Sequence, residues 1–125
     1  MNLYVDDIRT PPDGWRVVRS IADAKAILAD PPEPIIELSL DHDLGACDAC
    51  MRLYATKDAA DWLVRSRGSS MPNCSHVGTG LDLVRWLIET NHWSQNKPTV
   101  HSANPVGAQN MRLEIDAHFP KGVQR

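Results

Sequence analysis

Asp6 and Asp7 follow the apolar run Leu3-Tyr4-Val5, Asp41-His42-Asp43 follows Ile35 to Leu40, and His101-Ser102-Ala103-Asn104 follows Pro98-Thr99-Val100. If these runs are neighbouring parallel strands, their carboxyl ends share one crevice, the place where ligands bind in open α/β sheets. Four carboxylates and two imidazoles would meet there. Divalent cations such as Mg2+ take hard oxygen ligands, commonly one or two carboxylates with water and phosphate oxygens completing the shell. Asp6, Asp7 and Asp41 can supply such a set. Strand alternation points Asp43 the same way as Asp41 and His42 the opposite way, although strand ends often break that alternation. Imidazole titrates nearest neutral pH, which makes His42 and His101 candidates for proton transfer, with His42 favoured by the carboxylates beside it. Ser102 and Asn104 can donate to phosphate oxygens through a hydroxyl and an amide.

Each of these residues also has a purely structural reading. Acids at strand ends cap the turns that follow, and a lone histidine often only packs. Asn104 before Pro105 is a natural helix N-cap with proline at the first helical position. The two readings of Asn104 are compatible, because a helix amino terminus itself binds anions.

The elements that must position these residues can be read from periodicity. Residues 3–5 read as a short buried strand, and Thr10-Pro11-Pro12-Asp13-Gly14 is dense turn chemistry, so a loop should join the first strand to a second at Trp15–Arg19. Ser20, with Asp23 three positions on, is expected to cap a helix carrying Ile21, Ala24, Ile27 and Leu28 that stops before Pro31-Pro32. Residues 35–40 have the β-rich, largely apolar pattern of a central strand covered on both faces. A capping box at Thr79 and Asp82 should start a helix with Leu81, Val84, Leu87 and Ile88 on one side. A short strand over Pro98–His101 and a last helix burying Ala108, Met111, Ile115 and Phe119 complete the set. Strands alternating with helices through short connections indicate an α/β fold with a short, mostly parallel sheet.

The 125 residues, 42% of them hydrophobic, suffice for one domain with a real core, spanning 1–125. A net charge of -3 creates no global field to attract nucleic acid or an anionic membrane, so bulk DNA binding is not expected and a phosphate ligand must be captured locally. Neither a long apolar run nor a secretory leader is recognisable, which points to a cytoplasmic protein without a membrane span. Oligomeric state is not legible.

From about Gly45 to Gly78 the pattern loosens into an insertion with one expected helix over Asp58–Arg65. Cys47 and Cys50, then Cys74 and His76 after a 23-residue gap, use every cysteine of the chain. Three thiolates and an imidazole match a closed tetrahedral zinc site, structural rather than catalytic. Buried or redox-active thiols are the other reading.

Taken in order, Leu3-Tyr4-Val5-Asp6-Asp7-Ile8-Arg9, Ser39-Leu40-Asp41-His42-Asp43-Leu44-Gly45, Gly78-Thr79-Gly80-Leu81-Asp82-Leu83-Val84 and His101-Ser102-Ala103-Asn104-Pro105 resemble the cyclic-phosphate processing receiver-like domain family. Met71-Pro72-Asn73-Cys74-Ser75-His76 also resembles members that carry a cysteine insertion. The resemblance implies a variant of the response-regulator receiver fold, a flavodoxin-like three-layer sandwich. It implies that Asp6 and Asp7 correspond to the receiver's metal-binding acid pair and Asp41 to its phospho-accepting aspartate. Ser102-Ala103 corresponds to the hydroxyl-plus-small pair after the fourth strand, and Arg9 joins Ser102 and Asn104 as a phosphate-binding candidate. The receiver's Lys-Pro strand is missing, since Lys121 follows Pro120 in a tail, and His42, Asp43 and His101 are additions.

The function expected from this reading is a metal-dependent phosphoesterase, with Mg2+ or Mn2+ at the acids. Its substrates would be cyclic or terminal phosphates of a small nucleotide or an RNA end. Asp41, His42, His101 and Ser102 are the catalytic candidates. The alternatives are a module that binds or sequesters a phosphorylated nucleotide without turnover, and a degenerate receiver that mediates protein contacts.

Overall fold

The computed structural model describes residues 1–45 and 77–120. The expected Asp58–Arg65 helix and the candidate zinc ligands Cys47, Cys50, Cys74 and His76 lie outside the described residues, as does Lys121.

The described chain runs β1 (Asn2–Val5), β2 (Trp15–Val18), α1 (Ile21–Ala29), β3 (Glu37–Leu40), α2 (Gly80–Thr90), β4 (Thr99–Val100) and α3 (Pro105–His118). The four strands form one sheet in the order β2-β1-β3-β4, and every pairing is parallel. This is the flavodoxin-like order, whose topological switch point falls between β1 and β3. The fold is therefore α/β and receiver-like. As expected from the Pro-Pro-Asp-Gly run, β1 reaches β2 through a loop.

Local signals set the element ends. Ser20 caps α1 by accepting from the Asp23 amide at 3.1 Å. The Asp82 carboxylate accepts from the Thr79 amide at 2.8 Å at the start of α2. Asn104 caps α3 by accepting from the Gly107 amide at 3.0 Å, with Pro105 as the first helical residue. β3 begins two residues later than its apolar pattern suggested. The carbonyls of Ile35 and Ile36 accept instead from Gln95 and Asn96, and the Ile36 amide donates to the Met1 carbonyl.

The core is built on one face of the sheet. Leu3, Val5, Leu38 and Leu40, alternate residues of β1 and β3, join Ile21, Ala24 and Leu28 of α1, Leu83, Val84 and Leu87 of α2, and Met111 and Ile115 of α3. In α2 it is Leu83 that is fully buried, while Leu81 is only partly covered. The opposite parity carries Tyr4, Ser39 and Thr99 side by side. Among the described residues no helix is long and apolar enough to cross a membrane.

Candidate active site

Three backbone hydrogen bonds extend the parallel ladder one step beyond the strands. The Asp6 amide donates to Val18 O, the Asp41 amide to Val5 O and the His101 amide to Leu40 O. Since Val5 pairs with Leu40 and Leu40 with Val100, the next row across the sheet is Asp6, Asp41, His101. One ligand atom from each lies within 4.8 Å of the others, and both carboxylates are buried. The row sits at the switch point, where the fold itself opens a crevice.

Asp6 is fully buried and its oxygens are engaged. Oδ1 accepts from the amides of Ile8 (2.9 Å) and Arg9 (2.8 Å), and Oδ2 lies 3.0 Å from His101 Nε2. Burial pushes its carboxyl up, but the amides of Arg9 and Ile8 and the contact with His101 outweigh that and hold it below the ordinary value. Asp6 is thus an organiser of the loop after β1 as well as a member of the row. The Arg19 guanidinium fixes the same loop, donating to the carbonyls of Asp6 and Arg9.

Asp41 and Asp7 behave oppositely. Burial raises the Asp41 carboxyl and the Asp6 charge adds to it, against the amide of His42, the His101 ring and a hydrogen bond with Ser102. Burial raises Asp7 as well, with further contributions from the charges of Asp6, Asp41 and Asp43. Asp7 Oδ1 is buried without a hydrogen-bond partner among the described residues. A buried acceptor among like charges is costly unless something positive answers it.

The two histidines have different surroundings. His101 is held on three sides: Nε2 faces Asp6, Nδ1 lies 2.7 Å from Ser39 Oγ, and the ring stacks on Tyr4 with centroids 4.1 Å apart and planes 9° apart. Tyr4 on β1 reaches across β3 to His101, and the residue between them is the small Ser39. His42 turns away from the row. Its Nδ1 lies 2.8 Å from Asp43 Oδ1, and its ring packs on the first turn of α3, where a Cβ on Gly107 would come within about 2.5 Å of it. Among the described residues, Nε2 of His42 has no hydrogen-bond partner.

The remaining candidates line the same end of the sheet. Ser102 accepts from the Asn104 amide at 3.0 Å besides meeting Asp41. The Asn104 side-chain oxygen is occupied by its cap. Arg9, partly exposed, donates to the His101 carbonyl at 2.9 Å and so closes the crevice between the β1 and β4 loops. Sequence reasoning placed these residues together but did not single out Ser39 or Tyr4. The available signal was parity: Ser39 lies two residues before Asp41, and Tyr4 two before Asp6, so each shares a face with its acid.

The family model described as the Cyclic-phosphate processing Receiver domain matches residues 1–117. The chain belongs to that family. No curated protein and no solved structure gives a significant match. The receiver-like domain is thus one associated with cyclic-phosphate processing, and Asp6 and Asp41 directly follow β1 and β3. Against the acid trio expected from sequence, the group that converges among the described residues has His101 where Asp7 was expected, and Asp7 Oδ1 has no hydrogen-bond partner among them.

Proposed function

We propose that this receiver-like protein is a divalent-metal-dependent phosphoesterase acting on cyclic or terminal phosphates of nucleotides or RNA. The observation that carries the reading is the convergence of Asp6, Asp41 and His101 within 4.8 Å at the switch point. The residues fit a cation. The donor set is oxygen-rich, and both Asp7 and Asp41 carry carboxyls raised by burial and by their neighbours' charges. Asp7 Oδ1 also has no hydrogen-bond partner among the described residues. Asp6, Asp7 and Asp41 would hold the ion, which when bound neutralises phosphate charge and activates water.

The chain's own groups supply the rest. Arg9, which bridges the β1 and β4 loops, would bind a phosphate's non-bridging oxygens through its remaining N–H groups, Ser102 would do so in exchange for its bond to Asp41, and the amino terminus of α3 adds its dipole. Of the two imidazoles, His42 is the better proton carrier. Asp43 fixes its Nδ1 and leaves Nε2 uncommitted, so that this ring, which faces away from the row, would exchange protons with the attacking water and the departing alkoxide through one intervening water, whereas both nitrogens of His101 are engaged. Hydrolysis of a cyclic phosphate forms one P–O bond from water, breaks one ring P–O bond and leaves a monoester with a free hydroxyl. One proton taken and one returned balance the step.

The test is a panel of 2',3'- and 3',5'-cyclic nucleotides incubated with the full chain and Mg2+ or Mn2+, followed by phosphorus NMR. Conversion to a monoester supports the reading. Tight binding by calorimetry with no product overturns it in favour of a nucleotide-binding module.

A further inference from the structure

We propose that His101 is itself a ligand of the cation and that Ser39 is the positioning residue that prepares it, so that the site has a nitrogen donor favouring a transition ion such as Mn2+ over Mg2+. The inference rests on the metal-dependent reading above and specifies which of the chain's residues set the ion's identity.

The geometry is that of a histidine oriented for coordination. Its Nε2 points into the row, 3.0 Å from Asp6 Oδ2 and within 4.8 Å of an Asp41 oxygen. A ligating imidazole nearly always donates its other ring N–H to an oxygen behind it, which fixes the tautomer and the ring direction. Ser39 Oγ occupies that position behind Nδ1 at 2.7 Å, on a strand residue only 7% exposed. Tyr4, also buried, sets the ring plane by stacking. The ring therefore has little orientational freedom to lose on coordination.

A hydroxyl suits this place because it both donates and accepts. An ionised Asp6 only accepts, so a neutral metal-free ring carries its proton on Nε2 and Ser39 donates to Nδ1. When Nε2 gives its lone pair to a cation, the ring proton is on Nδ1 and Ser39 accepts. Imidazole nitrogen suits transition ions, while Mg2+ and Ca2+ take oxygen. One such nitrogen added to the carboxylates of Asp6, Asp7 and Asp41 shifts the preference accordingly.

The experiment uses the full chain, with Mn2+ binding followed by electron paramagnetic resonance and Mg2+ binding by calorimetry. Mn2+ is the probe because thiolates select softer ions, so the cysteines of the insertion do not compete for it. In the wild type, Mn2+ should selectively broaden the His101 ring signals. Ser39→Ala should weaken Mn2+ binding about 10- to 100-fold and leave Mg2+ binding unchanged, and Ser39→Thr, which keeps the hydroxyl, should retain Mn2+ affinity. His101→Gln should lose the same Mn2+ increment, which covers the case of a Ser39→Ala protein that fails to fold. Equal losses for both ions in Ser39→Ala, or His101 signals untouched by Mn2+, would overturn the inference while leaving the phosphoesterase reading standing. If neither ion binds the wild type, both fall.

Discussion

Asp6 Oδ2 and His101 Nε2 lie 3.0 Å apart although 95 residues separate them in the chain. The contact joins the loops after β1 and β4, across the carboxyl end of β3, and it is made by a carboxylate that also accepts two backbone amides. Replacing Asp6 should therefore affect folding as much as chemistry. Asp6→Ala leaves the amides of Ile8 and Arg9 without their acceptor and should cost about 1–3 kcal/mol. Urea unfolding of the metal-free protein measures this, and a variant as stable as the wild type would contradict it.

Asp7 and Asp41 should make the metal-free protein less stable at neutral pH. Their folded-state values lie above the ordinary 3.8, so their ionisation opposes folding, and the penalty is relieved as pH falls through those raised values. Asp6 has the opposite sign. Its folded-state value is below 3.8, so its contribution is present above that pH and is lost as pH falls through the lowered value. Melting temperature without metal should accordingly rise on mild acidification from neutrality and fall in stronger acid. Asp7→Asn should be more stable than wild type at pH 7 and show a smaller rise.

The same charges should make a cation stabilising. An ion at 100 times its Kd adds about 2.7 kcal/mol to a folded state that alone binds it. Thermal scans with Mn2+ should show this upshift in the wild type and its loss in Asp41→Asn. Chelation should reverse it. An upshift retained in Asp41→Asn would place the ion elsewhere.

Two glycines should separate packing from chemistry. A Cβ on Gly80 would sit 2.0 Å from the Asp41 carbonyl oxygen, and its amide donates to His42 O at 2.8 Å. Gly80→Ala must displace backbone at the end of β3 and should cost about 1–3 kcal/mol or more. A Cβ on Gly107 meets the ring of His42 instead. Gly107→Ala should leave the sheet intact by circular dichroism but move the His42–Asp43 pair, lowering kcat more than it raises KM.

His42→Gln should reduce turnover of a cyclic phosphate about 10²- to 10⁴-fold, the range for a lost general acid or base. Because His42 lies outside the Asp6–Asp41–His101 row, the Mn2+ stabilisation should survive the substitution. A variant that loses both would assign His42 to the metal site.

What the sequence determined by itself was local. Short apolar, β-rich runs located β1, β2 and β3, and Ser20 with Asp23, Thr79 with Asp82 and Asn104 with Pro105 marked where the helices begin. These signals are legible because each is satisfied by residues within a turn of one another. The acids after β1 and β3 were legible as site candidates for the same reason, since a strand end is a local event and the parallel order brings such ends together. The tertiary structure decided which side chains meet. Ser39 reaches His101 over 62 residues and Asp6 reaches it over 95, contacts that depend on the register of β1, β3 and β4 and on a stacked Tyr4 two strands away. It also decided that His42, adjacent to Asp41, turns to Asp43 and Gly107. Strand alternation already pointed His42 away from Asp41, but its partners are set by the close approach of α3, and no spacing within Asp41-His42-Asp43 encodes that approach.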